Sequence, residues 1–158
     1  MTFPLTKRGD VIVSSPAERP GLRPEEALSR LEAALEDERP TELERHGREL
    51  RFRANMFRFV SNSNLLVPVD RGSFVVSETP GGLRVSYELS FRRTLIVVTG
   101  VALLLGSLFA GTAGPPKQQW NQLLPEVLFA WTWLFGANYV LSAIRFPRFI
   151  RRVLAGDY

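Results

Sequence analysis

The chain has 158 residues, about one domain's length, with a formal net charge of +4, no cysteine and His46 as its only histidine. Disulfides and thiolate metal sites are therefore excluded. Residues 1–93 carry 15 Lys+Arg against 14 Asp+Glu, so most of the positive excess falls later, at Lys117, Arg145, Arg148, Arg151 and Arg152 against Glu126 and Asp157. Basic residues beside apolar segments are what a membrane-spanning chain requires, and the high pI is not a nucleic-acid signature here.

In chain order, "MTFPLTKRGDVIVSS" lacks a continuous apolar stretch and is not expected to be a cleavable signal; "DVIVSS" from Asp10 reads as a short strand. Ser15 to Pro24 reads as a loop. "RPEEALSRLEAALED" is the clearest helix, because Ala27, Leu28, Leu31, Ala34 and Leu35 recur at helical spacing, Pro24 starts it and Pro40 ends it. "TELER" and "RELRFRA" around His46-Gly47 predict a hairpin, followed by a less regular stretch through "SNSNLLVPVDRG". "SFVVSE", "TPGG" and "LRVSYELSF" predict a second hairpin; Leu83, Val85, Tyr87, Leu89 and Phe91 alternate with polar residues and should face a core. Residues 1–93 are thus expected to form a small two-layer α+β domain, one helix on an antiparallel sheet, that is at least partly folded in a fragment ending at Phe91.

Residues 94–144 are expected to form a two-helix transmembrane hairpin. Its spans are 94–114 ("TLIVVTGVALLLGSLFAGTAG") and 125–144 ("PEVLFAWTWLFGANYVLSAI"). Arg92, Arg93, Arg145, Arg148, Arg151 and Arg152 flank the outer ends of the spans, whereas the connecting loop carries Lys117 and Trp120. The expected location is the cell inner membrane, multi-pass, with both termini cytoplasmic. Gly100, Gly106, Gly136 and Asn138 are candidate helix-packing residues, Asn138 as an interhelical hydrogen-bond contact. At least one of Trp131 and Trp133 should pack on the facing helix's glycines. Glu126, in the first turn after Pro125, reads as a helix-dipole partner rather than a transport carboxylate. Residues 145–158 form a basic tail; Phe146, Phe149, Ile150, Val153 and Leu154 interleave with arginines in the pattern of a short amphipathic helix lying in lipid headgroups.

No phosphate-binding glycine loop, nucleophile elbow or metal-ligand motif occurs. "HGRELRFRANMFRF" interleaves arginines with phenylalanines, but in a strand these fall on opposite faces, a core face and a solvated face. His46 with Glu42 and Glu49 reads as an exposed turn rather than an acid-base site. The order of elements, with "SNSNLLVPVDRG" before "GGLRVSYELSF" and a hydrophobic hairpin, resembles small uncharacterised bacterial membrane proteins over most of the chain. That resemblance implies architecture and no activity. The expected function is a non-enzymatic membrane protein without a cofactor. It would present a membrane-proximal module to membrane lipids, a protein partner or a second copy, with no nucleic acid involved. The alternatives are a ligand- or lipid-binding protein with a pocket between sheet, helix and membrane, and an enzyme or transporter subunit using Glu126 or His46.

Overall fold

Period-two alternation builds the sheet. The computed structural model describes residues 5–14, 22–54, 65–67, 69–80, 82–110, 124–125 and 127–156. Strands β1 (Thr6–Ser14), β2 (Glu42–His46), β3 (Glu49–Arg53), β4 (Arg71–Thr79) and β5 (Gly82–Ser90) form one sheet in the order β1-β5-β4-β3-β2, every pair antiparallel. The alternating residues of β5 sit as expected: Leu83, Val85, Tyr87 and Leu89 are buried, as are Phe74 and Val76 of β4 and Leu50 and Phe52 of β3. β1 begins four residues before the Asp10 expected from sequence. Its inward positions there are Lys7 and Gly9, which carry no apolar signal. The Tyr87 ring instead lies over Gly9, its partner in register, and leaves no room for a side chain at that position.

Helix α1 (Pro24–Asp37) places Ala27, Leu28, Leu31, Ala34 and Leu35 against β3 and β4. Helix α2 (Arg92–Ala110) follows β5 after one residue, Phe91. Helix α3 (Val127–Ala155) runs for 29 residues, with a π-helical turn at Thr132–Ala137 and Pro147 inside it. Its two ends meet different surroundings. Before Arg145 it exposes Leu128, Phe129, Trp133, Val140, Leu141 and Ile144; beyond it, Phe146, Phe149, Ile150, Val153 and Leu154 are buried in the same core as α1 and the sheet. Phe146 stacks with Phe52 and Phe74 at ring separations of 6.3 and 6.4 Å. At the far end, Arg30 of α1 donates to the Leu154 carbonyl at 3.4 Å, a cation on the terminal carbonyls of α3.

Three expectations change here. The apolar stripe of 146–154 is amphipathic as expected, but it completes the sheet's helical layer instead of remaining available to headgroups. An amphipathic stripe satisfies either environment, and here the inner sheet face is wide enough to need a second helix beside α1. By the same observation, a fragment ending at Phe91 lacks half of its helical layer. Finally, a hairpin of two spans does not emerge from the described residues, among which α3 alone is long and apolar enough to cross a membrane. α2 covers the described part of the first expected span, exposing Ile96, Val101, Leu103, Leu104, Leu105 and Leu108, but its first turn with Arg92 and Arg93 belongs to the junction with the sheet.

Candidate functional site

The junction between β5 and α2 holds the most specific polar chemistry among the described residues. Leu95 N–H donates to the Phe91 carbonyl, so Phe91 is the cap residue of α2, and its buried ring offers nothing to the free N–H groups of the first turn. Asp70 supplies what Phe91 lacks. This buried carboxylate, just before β4, accepts from the Arg93 N–H, from the Thr94 N–H at 3.1 Å and from the Thr94 hydroxyl at 3.1 Å. Those two N–H groups are the ones a local Ser or Asp cap would take, and the negative charge complements the positive end of the helix dipole. Asp70 is held in turn by its backbone: its N–H donates to the Ser90 carbonyl and its own carbonyl accepts from Ala54.

Around that cap the strand register gathers arginines. Arg53 of β3 lies directly opposite Arg71 of β4, which lies opposite Ser90 of β5, and Phe91 alone separates Ser90 from Arg92 and Arg93 at the start of α2. The four arginines, with Ile96 one turn up α2, border a cleft of about 310 Å³. Arg53 reaches Glu42 at 3.4 Å, and among the described residues no carboxylate lies within ion-pair distance of Arg71, Arg92 or Arg93. A second, wider depression of about 480 Å³ on the outer sheet face is of different character, since Glu42, Glu44 and Glu49 stand there among Arg51, Arg53 and Arg71. Within it the Arg51 guanidinium bonds both oxygens of Glu49, at 2.8 and 2.9 Å, and holds that carboxyl below its ordinary range. That face largely neutralises itself.

The interface between α2 and α3 is made mainly by aromatic rings. Trp131, Phe135 and Tyr139, spaced four apart, form a stacked ladder with separations of 5.4 and 6.2 Å, and Phe91 meets Tyr139 edge-on at 5.1 Å. Trp131 Nε1 donates to Thr99 Oγ1 at 2.9 Å. The contact order Phe91 with Tyr139, Thr99 with Trp131, and Gly106 with Val127 makes the helices antiparallel. The i, i+4, i+8 aromatic spacing was present in the sequence and marks this face.

Of the residues singled out from sequence, Arg92 and Arg93 belong to the cleft. Arg145, Arg148, Arg151 and Arg152 are exposed along the outer side of α3. Gly106 is a packing position, since a Cβ built there would stand 2.5 Å from Val127 Cγ2, whereas one at Gly100 meets nothing within 4 Å and one at Gly136 meets Thr132 of its own helix. Asn138 donates to the Leu134 carbonyl one turn back, not across to α2, a local bond that an amide at this spacing makes readily. Trp133 is 67% exposed and stacks with Phe129. His46 is exposed at the β2–β3 turn opposite Glu49. Trp120, Lys117 and Glu126 lie outside the described residues. Among the described residues no group of three His, Asp or Glu is placed to hold a metal ion. Asp70, Arg53 and Arg71 were not foreseen as site residues. Comparison of the chain with protein-family models, curated proteins and solved structures finds no match.

Proposed function

We propose that this chain is an integral membrane protein in which α2 and α3 cross the bilayer as an antiparallel hairpin, holding the α+β module against the inner leaflet for interaction with lipid or a protein partner. The observation that carries this reading is the division of α3. Of its most apolar 18-residue stretch only 11% is buried, unlike the core helix of a soluble domain, yet the same helix continues into the module's core. Val127 to Ile144 corresponds to about 27 Å of helix, close to the ~30 Å of a hydrocarbon core. The exposed apolar side chains of α2 run alongside it. Arg92, Arg93, Arg145 and Arg148 then fall at one end of the pair, the cytoplasmic end by the positive-inside bias.

A module joined through a one-residue connection and a shared helix is not a tethered head searching the cytoplasm. Its working surface is at the bilayer. The expected absence of enzymatic chemistry and of a cofactor is part of this proposal. The closed packing of Leu28, Leu31 and Leu35 on the sheet and on Phe146 favours it over a ligand pocket inside the module. Because the chain has no cysteine, single cysteines report topology directly. In intact cells an impermeant maleimide should label Lys117→Cys but not Ser29→Cys, and the protein should resist alkaline extraction. Labelling at position 29 from outside, or release at high pH, would refute the proposal.

A further inference from the structure

We infer that the arginine cleft at the foot of α2 binds the phosphate of an anionic phospholipid headgroup. This rests on the membrane reading above and gives its lipid partner a site. The cleft concentrates positive charge from three separate elements: Arg53 from β3, Arg71 from β4, and Arg92 with Arg93 from α2. Arg53 and Arg71 are cross-strand partners, an arrangement in which like charges repel and weaken a sheet unless an anion stands between them. Glu42 answers Arg53 alone. The carboxylate in the cleft wall, Asp70, is committed to the Arg93 N–H, the Thr94 N–H and the Thr94 hydroxyl, so it caps α2 and does not pair with the guanidinium groups. An anion with several acceptor oxygens suits the remaining donors, because a planar guanidinium presents paired N–H groups matched to phosphate.

The neighbourhood selects a lipid over a free phosphate. Ile96, 61% exposed, closes the cleft on its α2 side, and about two turns further the helix exposes Leu103 and Leu104 on its apolar surface. A ligand held by its phosphate among Arg71, Arg92 and Arg93 therefore has an apolar path directly above it, the sequence of chemistry in a phospholipid. The depth also fits, since the cleft sits at the turn where a charged strand end gives way to an apolar helix.

The test uses the full-length protein in mild detergent, with native mass spectrometry during titration with phosphatidylglycerol or phosphatidylcholine of equal acyl length. Wild type should retain one phosphatidylglycerol in preference to phosphatidylcholine. The Arg71→Gln/Arg92→Gln double variant should bind it at least about tenfold more weakly, roughly the loss of one charged hydrogen bond. Arg151→Gln/Arg152→Gln, which changes two exposed arginines further along α3, should leave that affinity unchanged. Arg71→Gln alone gives an opposed pair of readouts: weaker lipid retention, but an unchanged or higher Tm because the Arg53–Arg71 repulsion is gone. Equal loss in both double variants, a lowered Tm that accounts for the lost binding, or no headgroup preference would overturn the assignment. Binding of inorganic phosphate that is lost in the Arg71→Gln/Arg92→Gln variant, with no retention of phosphatidylglycerol, would overturn the lipid as its ligand and leave a phosphate site. Alkaline extraction of the same variants separates the two failures. Release from the membrane defeats the membrane reading itself, while a protein that stays integral without headgroup preference defeats only this inference.

Discussion

The two halves of α3 use the same kinds of residue for different ends. Up to Ile144, apart from buried Phe135 and the half-buried Val127, Trp131 and Tyr139 on the side of α2, large apolar side chains are exposed, Phe129 by 73%; from Phe146 onward Phe, Ile, Val and Leu are buried against α1 and the sheet. The first half is apolar on several sides with no charge between Val127 and Ile144, while the second alternates a single apolar stripe with Arg148, Arg151 and Arg152. A stripe requires one covering surface and an all-round apolar helix requires an apolar solvent. Both halves belong to one helix, with Pro147 inside it just past the boundary; on the membrane reading proposed above, that helix would join bilayer and module directly.

The comparison breaks most severely if the lower half is removed. A chain ending at Ile144 loses Phe146, Phe149, Ile150, Val153 and Leu154, each contributing about 1.5–3 kcal/mol when buried. Together they rival the whole stability of a small domain, about 5–15 kcal/mol. Amide exchange should show β3 to β5 unprotected in that chain, and also in a fragment ending at Phe91; native-like protection in either would mean that the α3 contacts are dispensable.

A sharper version keeps the chain intact. Phe146→Ala should destabilise the module by about 3–5 kcal/mol, because removing a buried ring packed on both Phe52 and Phe74 leaves a cavity. Ile144→Ala, at a half-exposed position two residues earlier, should leave the melting of the module nearly unchanged. Equal effects would erase the boundary between the halves.

Next in size is the cap. Asp70→Ala leaves two first-turn N–H groups of α2 without their acceptor and should cost about 1–2 kcal/mol, on the scale of cap removal, with increased exchange confined to Arg93, Thr94 and their neighbours. A silent variant would show that α2 needs no cap from the module. Smaller still is the contact between helices: Gly106→Leu should push Val127 away and loosen the Trp131–Thr99 bond, seen as a shift in tryptophan emission, while Gly100→Ala should be tolerated.

The weakest effect lies on the outer sheet face. Arg51 lowers the folded-state pKa of Glu49, so this pair's contribution is present above the ordinary carboxylate range and fades as pH falls through the depressed value. The pair is exposed and screened, and Glu49→Gln should flatten the acid side of the stability profile only slightly.

These contrasts show what was legible in the sequence. α1 and the β4–β5 hairpin were readable because their patterns are local: the stripe at 27, 28, 31, 34 and 35 and the alternation from Leu83 to Leu89 each specify one face. The destination of 146–154 was not, since an amphipathic stripe fits a headgroup layer and a sheet equally well. Asp70 was hidden because the helix it caps begins 22 residues later. Arg53 read as a solvated strand position and Arg71 as the end of an irregular stretch; only the register that sets them opposite each other, beside Arg92, makes a site. Among the expected packing residues Gly106 meets α3, but Gly100, on the same helix, points away from it, a distinction of helical phase that composition does not carry.

The central claim, that α3 is shared between bilayer and core, is tested most directly by spin-label accessibility along Val127–Ala155 in liposomes, using single cysteines in the cysteine-free chain. The account predicts high oxygen accessibility at Phe129, Trp133, Val140 and Ile144. At Phe149, Ile150 and Val153 both oxygen and a water-soluble nickel reagent should be excluded, while Arg148, Arg151 and Arg152 remain open to the reagent. Oxygen accessibility at 149, 150 and 153, at a depth typical of headgroups, would instead place this segment on the membrane surface and contradict the shared helix.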